Sequence, residues 1–256
     1  MKPVVLGIDT SGNSCSVALA CGPALAPRVY ARRAAVGNAH SKYVLAMVRD
    51  VLADASLPLS RCDAIAYSAG PGSFTGLRVA CAVAQGLAFG AGCPVVPVGT
   101  LDAIGHSVLA TLAVPPEEML VAMDARMGEV YWTLLHGSSG RLTAVMPPAL
   151  ASPAVLRDRI AVRVEVPVEL GCGNAWAALG IAIDGLVERV IHREAADAVD
   201  VALLGRIAWL DGKFIAPEYA SPLYVRDDVA LTTAEREAKR HGVAAARISP
   251  VASHGA

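Results

Sequence analysis

The chain has 256 residues, of which 54% are hydrophobic, and a formal net charge of −1. That length holds one large domain or two ordinary ones with ample apolar material for a core, and two are expected. The near-neutral charge gives no bulk electrostatic reason for strong unaided binding to nucleic acid or to an anionic membrane, so any RNA contact has to be local or shared.

The first apolar run, Val4 to Asp9, contains an acid and is not followed by a signal-type cleavage region. Six cysteines (Cys15, Cys21, Cys62, Cys81, Cys93 and Cys172) make no Cys-x-x-Cys pair and no Cys/His metal spacing. Several sit in apolar segments, where a reduced thiol behaves as a small hydrophobe. A cytoplasmic chain is expected.

Val5 to Asp9 reads as a strand ending in aspartate, followed by a turn with Gly12 and a second strand, Cys15 to Leu19. A helix is predicted over 38–53. Asp63 to Ser68 is a short buried strand, and it runs into Gly70-Pro71-Gly72-Ser73-Phe74-Thr75-Gly76-Leu77-Arg78. Three glycines in seven residues allow positive φ and close approach by another chain or a ligand. Ser73 is the predicted N-cap of an uncharged, alanine-rich helix over 75–89. A helix entered this way favours an anion at its unpaired N–H groups. A tight strand-to-helix turn that binds nothing is the other reading. No Gly-Lys-Ser/Thr follows, so the lysine of a P-loop is missing. Gln85, Gly90, Gly92, Pro94 and Pro97 divide the uncharged stretch 79–101 into a buried helix, a turn and a strand over 95–98. Neither piece reaches the roughly 20 apolar residues that span a bilayer.

The chain also resembles itself. Val5 to Leu19 and Leu120 to Leu134 each read as strand, aspartate, short turn with a glycine, and second strand, with Asp9 and Asp124 at the same turn position. Two related α/β halves follow, joined near residues 102–116. The second half is less regular: a proline-rich crossing at Met146-Pro147-Pro148, a strand near 166–170, a Gly171-Cys172-Gly173-Asn174 turn and a helix near 199–210. In such a fold a turn aspartate facing the cleft can hold a metal–phosphate complex or orient a water; stabilising the hairpin turn is the plain alternative. Arg126 is placed to pair with Asp124.

The two helices of the first half carry more apolar surface than one core needs. Tyr43 and Met47 lie beside a face of Val44, Val48, Val51 and Leu52, while Gly76, Ala80, Ala84 and Ala88 make a four-residue small row adjoining Val79, Val83 and Leu87. Small residues in a row let another helix come close. Burial inside the subunit is the alternative.

In chain order, Gly7-Ile8-Asp9-Thr10-Ser11, His40-Ser41, the Gly70 to Arg78 loop, Asp124 to Tyr131, and Pro222-Leu223-Tyr224-Val225-Arg226 resemble the TsaB (YeaZ) family over residues 4 to about 230. The resemblance implies a duplicated actin-like, sugar-kinase-type α/β fold of two related mixed-sheet domains, at 1–104 and 105–231. Residues 232–256 then form a charged helix, with Thr232 and Glu235 as a capping box, and a loose tail. It also implies a non-catalytic subunit that pairs with TsaD, with TsaE as third member, for threonylcarbamoyl transfer to tRNA. Contact with tRNA is expected only through that complex, and a homodimer is expected when the chain is alone.

The cleft candidates are Asp9, Thr10, Ser11, Gly72, Ser73 and Asp124, and the partner-interface candidates are Tyr43, Met47, Ala80, Ala84, Leu87 and Ala88. No cofactor is expected to be tightly bound, and ATP or ADP at a subunit junction is left open. No metal is expected. The catalytic relatives carry His-x-x-x-His, whereas here Val44 stands four residues after His40, leaving His40 as a surface or capping residue. The rival reading is a small-molecule kinase or acyltransferase acting alone through Asp9 and the glycine loop. A peptidase is disfavoured by the missing metal pair.

Overall fold

The structure is a computed structural model and describes residues 3–23, 26–138, 140–163, 167–180 and 185–226. The expected C-terminal helix at Thr232 lies outside these residues.

The first half opens with the hairpin β1 (Val5–Asp9) and β2 (Ser14–Cys21), followed by β3 (Arg28–Ala35) and α1 (His40–Ala55). Then come β4 (Ala64–Gly70), α2 (Phe74–Ala91), β5 (Val95–Gly99) and α3 (Thr100–Leu109). The second half repeats this order: β6 (Glu118–Asp124), β7 (Val130–Ser138), β8 (Arg141–Ala151), α4 (Pro153–Arg163), β9 (Val168–Gly173), α5 (Ala175–Leu179), β10 (Val187–His192) and α6 (Ala198–Leu210).

The two sheets run β3-β2-β1-β4-β5 and β8-β7-β6-β9-β10, so their strand orders correspond one for one. In each, the first three strands pair antiparallel and the last three parallel. Asp9 and Asp124 end the equivalent strands β1 and β6, as the internal resemblance predicts. The fold is a duplicated actin-like α/β fold.

Side-chain alternation sorts each sheet into two buried faces. Leu6 and Ile8 of β1 join a core with Val44, Val48 and Val51 of α1 and Ala80, Ala84 and Ala88 of α2. Val5, from the opposite face of β1, joins Leu101 and Ile104 of α3, Val121 and Met123 of β6, and Val201 of α6 in a core shared by both sheets. A third core places Leu156 and Ile160 of α4 and Trp176 of α5 against Leu120, Trp132 and Leu134. The layers are therefore helices, sheet, helices, sheet, helices.

The last described segment returns to the first sheet. α6 packs on β1, β2 and β4. It comes so close that a Cβ on Gly7 would lie 2.6 Å from the Ala198 carbonyl. Beyond it, Ile215 exchanges backbone hydrogen bonds with Val95, Gln85 donates to the Pro217 carbonyl at 2.8 Å, and the Leu223 N–H donates to the Ala69 carbonyl at 2.7 Å.

Three local expectations change. Pro147 and Pro148 lie within β8, an edge strand whose register with β7 shifts, where missing N–H donors cost little. His40 is buried rather than on the surface: it opens α1 with its ring facing the Gly12 backbone, and burial draws its pKa down. The capping role also fails, since the N-cap of α1 is Ala39, without a side-chain bond. By length and composition α2 could cross a membrane, yet its row Gly76, Leu77, Ala80, Cys81, Ala84 and Ala88 is buried in the protein.

Candidate functional site

A cleft of about 250 Å³ lies where the strand ends of the two halves meet. From the first half it takes Ser11, Gly12, Asn13 and Ser14 of the β1–β2 turn, Arg33 of β3, and Gly72 and Ser73 before α2. The second half supplies Met123 to Arg126, Tyr131, Asn174, Glu194 and Ala195. Of the six cleft candidates, Ser11, Gly72, Ser73 and Asp124 are thus brought together.

Asp9 and Thr10 do not line this cleft, because both are buried beneath the turn. Asp9 Oδ1 accepts from the Ser11 N–H at 3.1 Å and from Ser11 Oγ at 2.6 Å. Burial pushes the Asp9 carboxyl above its ordinary range, against the opposing pull of Ser11 and the neighbouring Ser68 hydroxyl. Thr10 Oγ1 donates to the Gly76 carbonyl at 2.7 Å and ties the end of β1 to the first turn of α2. Both side chains hold the turn, while Asp9 Oδ2 is buried without a hydrogen-bond partner.

The second half repeats the motif nearer to solvent. Asp124 Oδ1 accepts the Arg126 N–H at 2.8 Å, as Asp9 accepts that of Ser11 two residues on. The Arg126 guanidinium lies 3.5 Å from Asp124 Oδ2, the pairing expected from the sequence. Arg126, Met127 and Gly128 all have positive φ, at 65°, 56° and 76°, so the β6–β7 turn keeps two non-glycine residues in the left-handed region.

The glycine loop is built for close packing. Ser73 caps α2 as predicted, its Oγ accepting the Gly76 N–H at 3.3 Å. Its own N–H donates to the Ser11 carbonyl at 2.7 Å. A Cβ on Gly72 would stand 2.6 Å from that carbonyl, and one on Gly76 would stand 1.9 Å from the Thr10 carbonyl. Gly72 does not need positive φ; Gly70 does, at 134°. These glycines let two backbone segments touch.

Several of the cleft's donors are engaged within the chain. The Ser73 N–H that would meet an anion is bonded to Ser11, Arg126 is paired with Asp124, and Arg33 is paired with Asp197 at 3.3 Å. Its volume also falls below the roughly 300–1,000 Å³ usual for ligand pockets. Among the described residues no three His, Cys, Asp or Glu side chains come together as a metal site, and Val44 is fully buried in the core one turn after His40.

Sequence reasoning missed Arg33, Asn174 and Glu194. Asn174 was findable: Gly171-Cys172-Gly173-Asn174 is the second-half counterpart of Gly70 to Ser73, each leading from the fourth strand of its sheet into a helix. Its Oδ1 accepts the Asp124 N–H at 2.8 Å.

The expected partner face changes in the same way. Met47, Ala80, Ala84 and Ala88 point inward and are buried in the first core, and Leu87 is half-buried against it. On their outward sides, α1 carries Tyr43 and Leu45, 47% and 56% exposed on opposite flanks of the helix, and α2 carries Phe89, 61% exposed. Ala82, Gly86 and Gly90 form the small row of α2, and a Cβ on Gly86 or Gly90 would meet nothing within 4 Å. At the start of α2, the Arg78 guanidinium lies 3.8 Å over the Phe74 ring and its Nε donates to Tyr224 Oη at 2.9 Å.

The tRNA threonylcarbamoyladenosine biosynthesis protein TsaB of Escherichia coli (strain K12) is 35% identical over 231 residues, covering 88% of this chain and 96% of that protein. The chain belongs to the TsaB family. The TsaB protein of Haemophilus influenzae is 42% identical over 130 residues, covering 50% of this chain and 52% of that protein. The family model described as TsaD, tRNA N6-adenosine threonylcarbamoyltransferase, matches residues 33–167 of this chain. Among solved structures, YeaZ from Pseudomonas aeruginosa aligns with a TM-score of 0.72 at 31% identity, covering 87% of this chain and 99% of that one. A second Pseudomonas aeruginosa structure, described as similar to peptidase YEAZ, aligns at 0.76 with 32% identity over 88% of this chain and 100% of that one.

Proposed function

We propose that this chain is the non-catalytic partner of a TsaD transferase in tRNA threonylcarbamoyladenosine biosynthesis. It pairs through the outward face of α1 and α2, with TsaE as third member, and it pairs with a second copy by the same face when alone. Any ATP or ADP of the assembly sits at a subunit junction rather than in the cleft of this chain. Contact with tRNA is made through the assembly.

The observation that carries this reading is the outward face itself. Tyr43 and Leu45 on the two flanks of α1 and Phe89 on α2 expose large apolar side chains, and Ala82, Gly86 and Gly90 give α2 an exposed small row, features that offer a second helix pair both apolar burial and close approach. The match to the TsaD family model spans this helix pair, which supports a related pair on the partner that can replace a second copy. Val44 at the position of a second histidine ligand and the internally paired cleft support a chain without its own transfer chemistry.

The test is association. Leu45→Glu and Gly86→Glu place carboxylates on the exposed sides of α1 and α2 without touching the core, and each is expected to weaken binding to TsaD by two orders of magnitude or more, since a buried unpaired charge costs several kcal/mol. Solution mass with and without TsaD reads the result. Unchanged association of both folded variants contradicts the proposal.

A further inference from the structure

After α6 the chain runs back beside α2 in the opposite sense. Gln85 of α2 donates to the Pro217 carbonyl at 2.8 Å, and Arg78, two turns earlier on the helix, donates from Nε to Tyr224 Oη at 2.9 Å. The returning segment is fixed between these points, because Tyr67 Oη donates to the Ser221 carbonyl at 3.1 Å and accepts the Ser221 N–H at 3.2 Å. Phe74, Arg78, Gln85 and Phe89 share one side of α2, standing at i, i+4, i+11 and i+15. Apolar surface stays open along both members of this edge: Phe74 and Phe89 on the helix, and Phe214, Tyr219, Leu223 and Tyr224 on the returning segment, are all exposed.

The two ends of the edge differ in chemistry. At one end Phe89, Phe214, Ala216 and Pro217, with Ala88 and Cys93, line an apolar hollow of about 370 Å³. At the other end stands Arg78, the one charged residue of α2. Its guanidinium lies 3.8 Å over the Phe74 ring and 5.9 Å from the centre of the Tyr224 ring, and among the described residues it has no carboxylate at ion-pair distance. The two rings limit its rotamers before anything binds, which lowers the entropy lost when it takes a partner. Eleven residues of helix separate Arg78 from Phe89, a span of about 16 Å.

We propose that this edge receives one helix of the TsaD partner, which seats a bulky apolar side chain in the hollow and presents a carboxylate to Arg78. The inference rests on the reading of α1 and α2 as the partner-binding pair, and Phe89 makes the two surfaces continuous, since it stands on the outward side of α2 and also lines the hollow. Charge selects TsaD over a second copy of this chain. α2 carries no acid, and both acids of α1, Asp50 and Asp54, are already paired with Arg49 and Arg32, so the helix pair of a second copy offers Arg78 no free carboxylate. An arginine stacked on aromatic rings beside an apolar pocket is also the composition in which binding energy concentrates.

Titration calorimetry of the full chain against TsaD at low and high salt tests the edge. Arg78→Met removes the charge and keeps an unbranched stem beside Phe74, and Ala216→Trp fills the hollow from an exposed position. Each is expected to weaken binding at least about thirtyfold, the loss at a typical hot spot, with the unfolding midpoint of the isolated chain close to the parent's. Arg78→Met is also expected to flatten the fall of affinity with salt, which a merely structural arginine leaves unchanged. If Leu45→Glu loses binding while either of these folded variants binds as the parent does, the proposal is overturned and the partner-face reading stands. If all the variants, Leu45→Glu and Gly86→Glu included, bind as the parent does, the partner-face reading itself fails. Solution mass without TsaD reads the other occupant: lost self-association with unchanged affinity for TsaD assigns the edge to a second copy and overturns the proposal as well.

Discussion

The backbone N–H of Ser73 donates to the carbonyl of Ser11 at 2.7 Å, joining the loop before α2 to the turn between β1 and β2. This bond occupies one of the first N–H groups of α2 that an anion at the helix N-terminus could use. It is possible only because Gly72 and Gly76 carry no Cβ where Ser11 and Thr10 pass. The glycine loop that looks like a ligand cradle in sequence is a seam between two backbone segments.

The seam predicts a sharp contrast among α2 glycines. Gly76→Ala drives a Cβ into the Thr10 carbonyl, with an expected cost of at least the roughly 1–3 kcal/mol typical of overpacking. Gly86→Ala meets nothing within 4 Å and is expected to stabilise the isolated subunit by about 1 kcal/mol through helix propensity. Denaturant unfolding of the two variants measures both; equal effects contradict the packing described.

How Asp9 contributes depends on pH. Burial raises its folded-state pKa above the unfolded value, so the folded state holds its proton more tightly. The favourable contribution is complete below the unfolded pKa of about 3.8 and is lost as pH rises through the folded pKa, at about 1.4 kcal/mol for each pH unit that separates the folded and unfolded values. Asp9→Asn removes this dependence and keeps an acceptor for Ser11. The variant is expected to be at least as stable as the parent at pH 7, with its relative advantage shrinking toward pH 4, and to leave tRNA modification intact. Melting curves across pH check the first part.

Arg206 is a buried cation whose three carbonyl acceptors tie α6 to both ends of the β1–β2 region. Arg206→Ala leaves those carbonyls without their donor, and a loss of about 2–4 kcal/mol is expected in denaturant unfolding.

The thiols are predicted to be quiet. Burial pushes Cys15 and Cys93 up to about 11 and Cys62 and Cys172 up to about 12, and raises Cys81 as well, while Cys21 alone is half-exposed. Thiolate is the reactive form. A native thiol titration at about pH 7.5, one unit below the ordinary thiol pKa, is therefore expected to count one fast cysteine, against six after denaturation.

What was legible in the sequence was local chemistry. Ser73 as N-cap, the strand leading into Gly70, and the paired hairpins ending in Asp9 and Asp124 all follow from short-range patterns that fold the same way in any surroundings. The face of α2 was not legible: Ala80, Ala84, Ala88 and Ala82, Gly86, Gly90 are two small rows of equal spacing on a helix apolar nearly all round, and only the sheet beneath selects the inner one. Asp9 misled for a related reason. A carboxylate at a turn is usually wet, and Asp9 is buried where Ser68 and Asp197, both distant in sequence, come beside it. β3 and β8 were missed because, as edge strands, they carry arginines or prolines where inner strands carry apolar residues.

The decisive experiment for a non-catalytic partner is reconstituted modification of tRNA. TsaD and TsaE are assayed alone, with this chain, and with its Leu45→Glu variant, and threonylcarbamoyladenosine is counted by nucleoside mass spectrometry. Modification is expected only with the parent chain, with at least a roughly tenfold loss for the folded variant, the effect of about 1.4 kcal/mol of lost association, and none from the chain by itself. Product formed by the isolated chain, or full activity with a folded Leu45→Glu variant, contradicts that assignment.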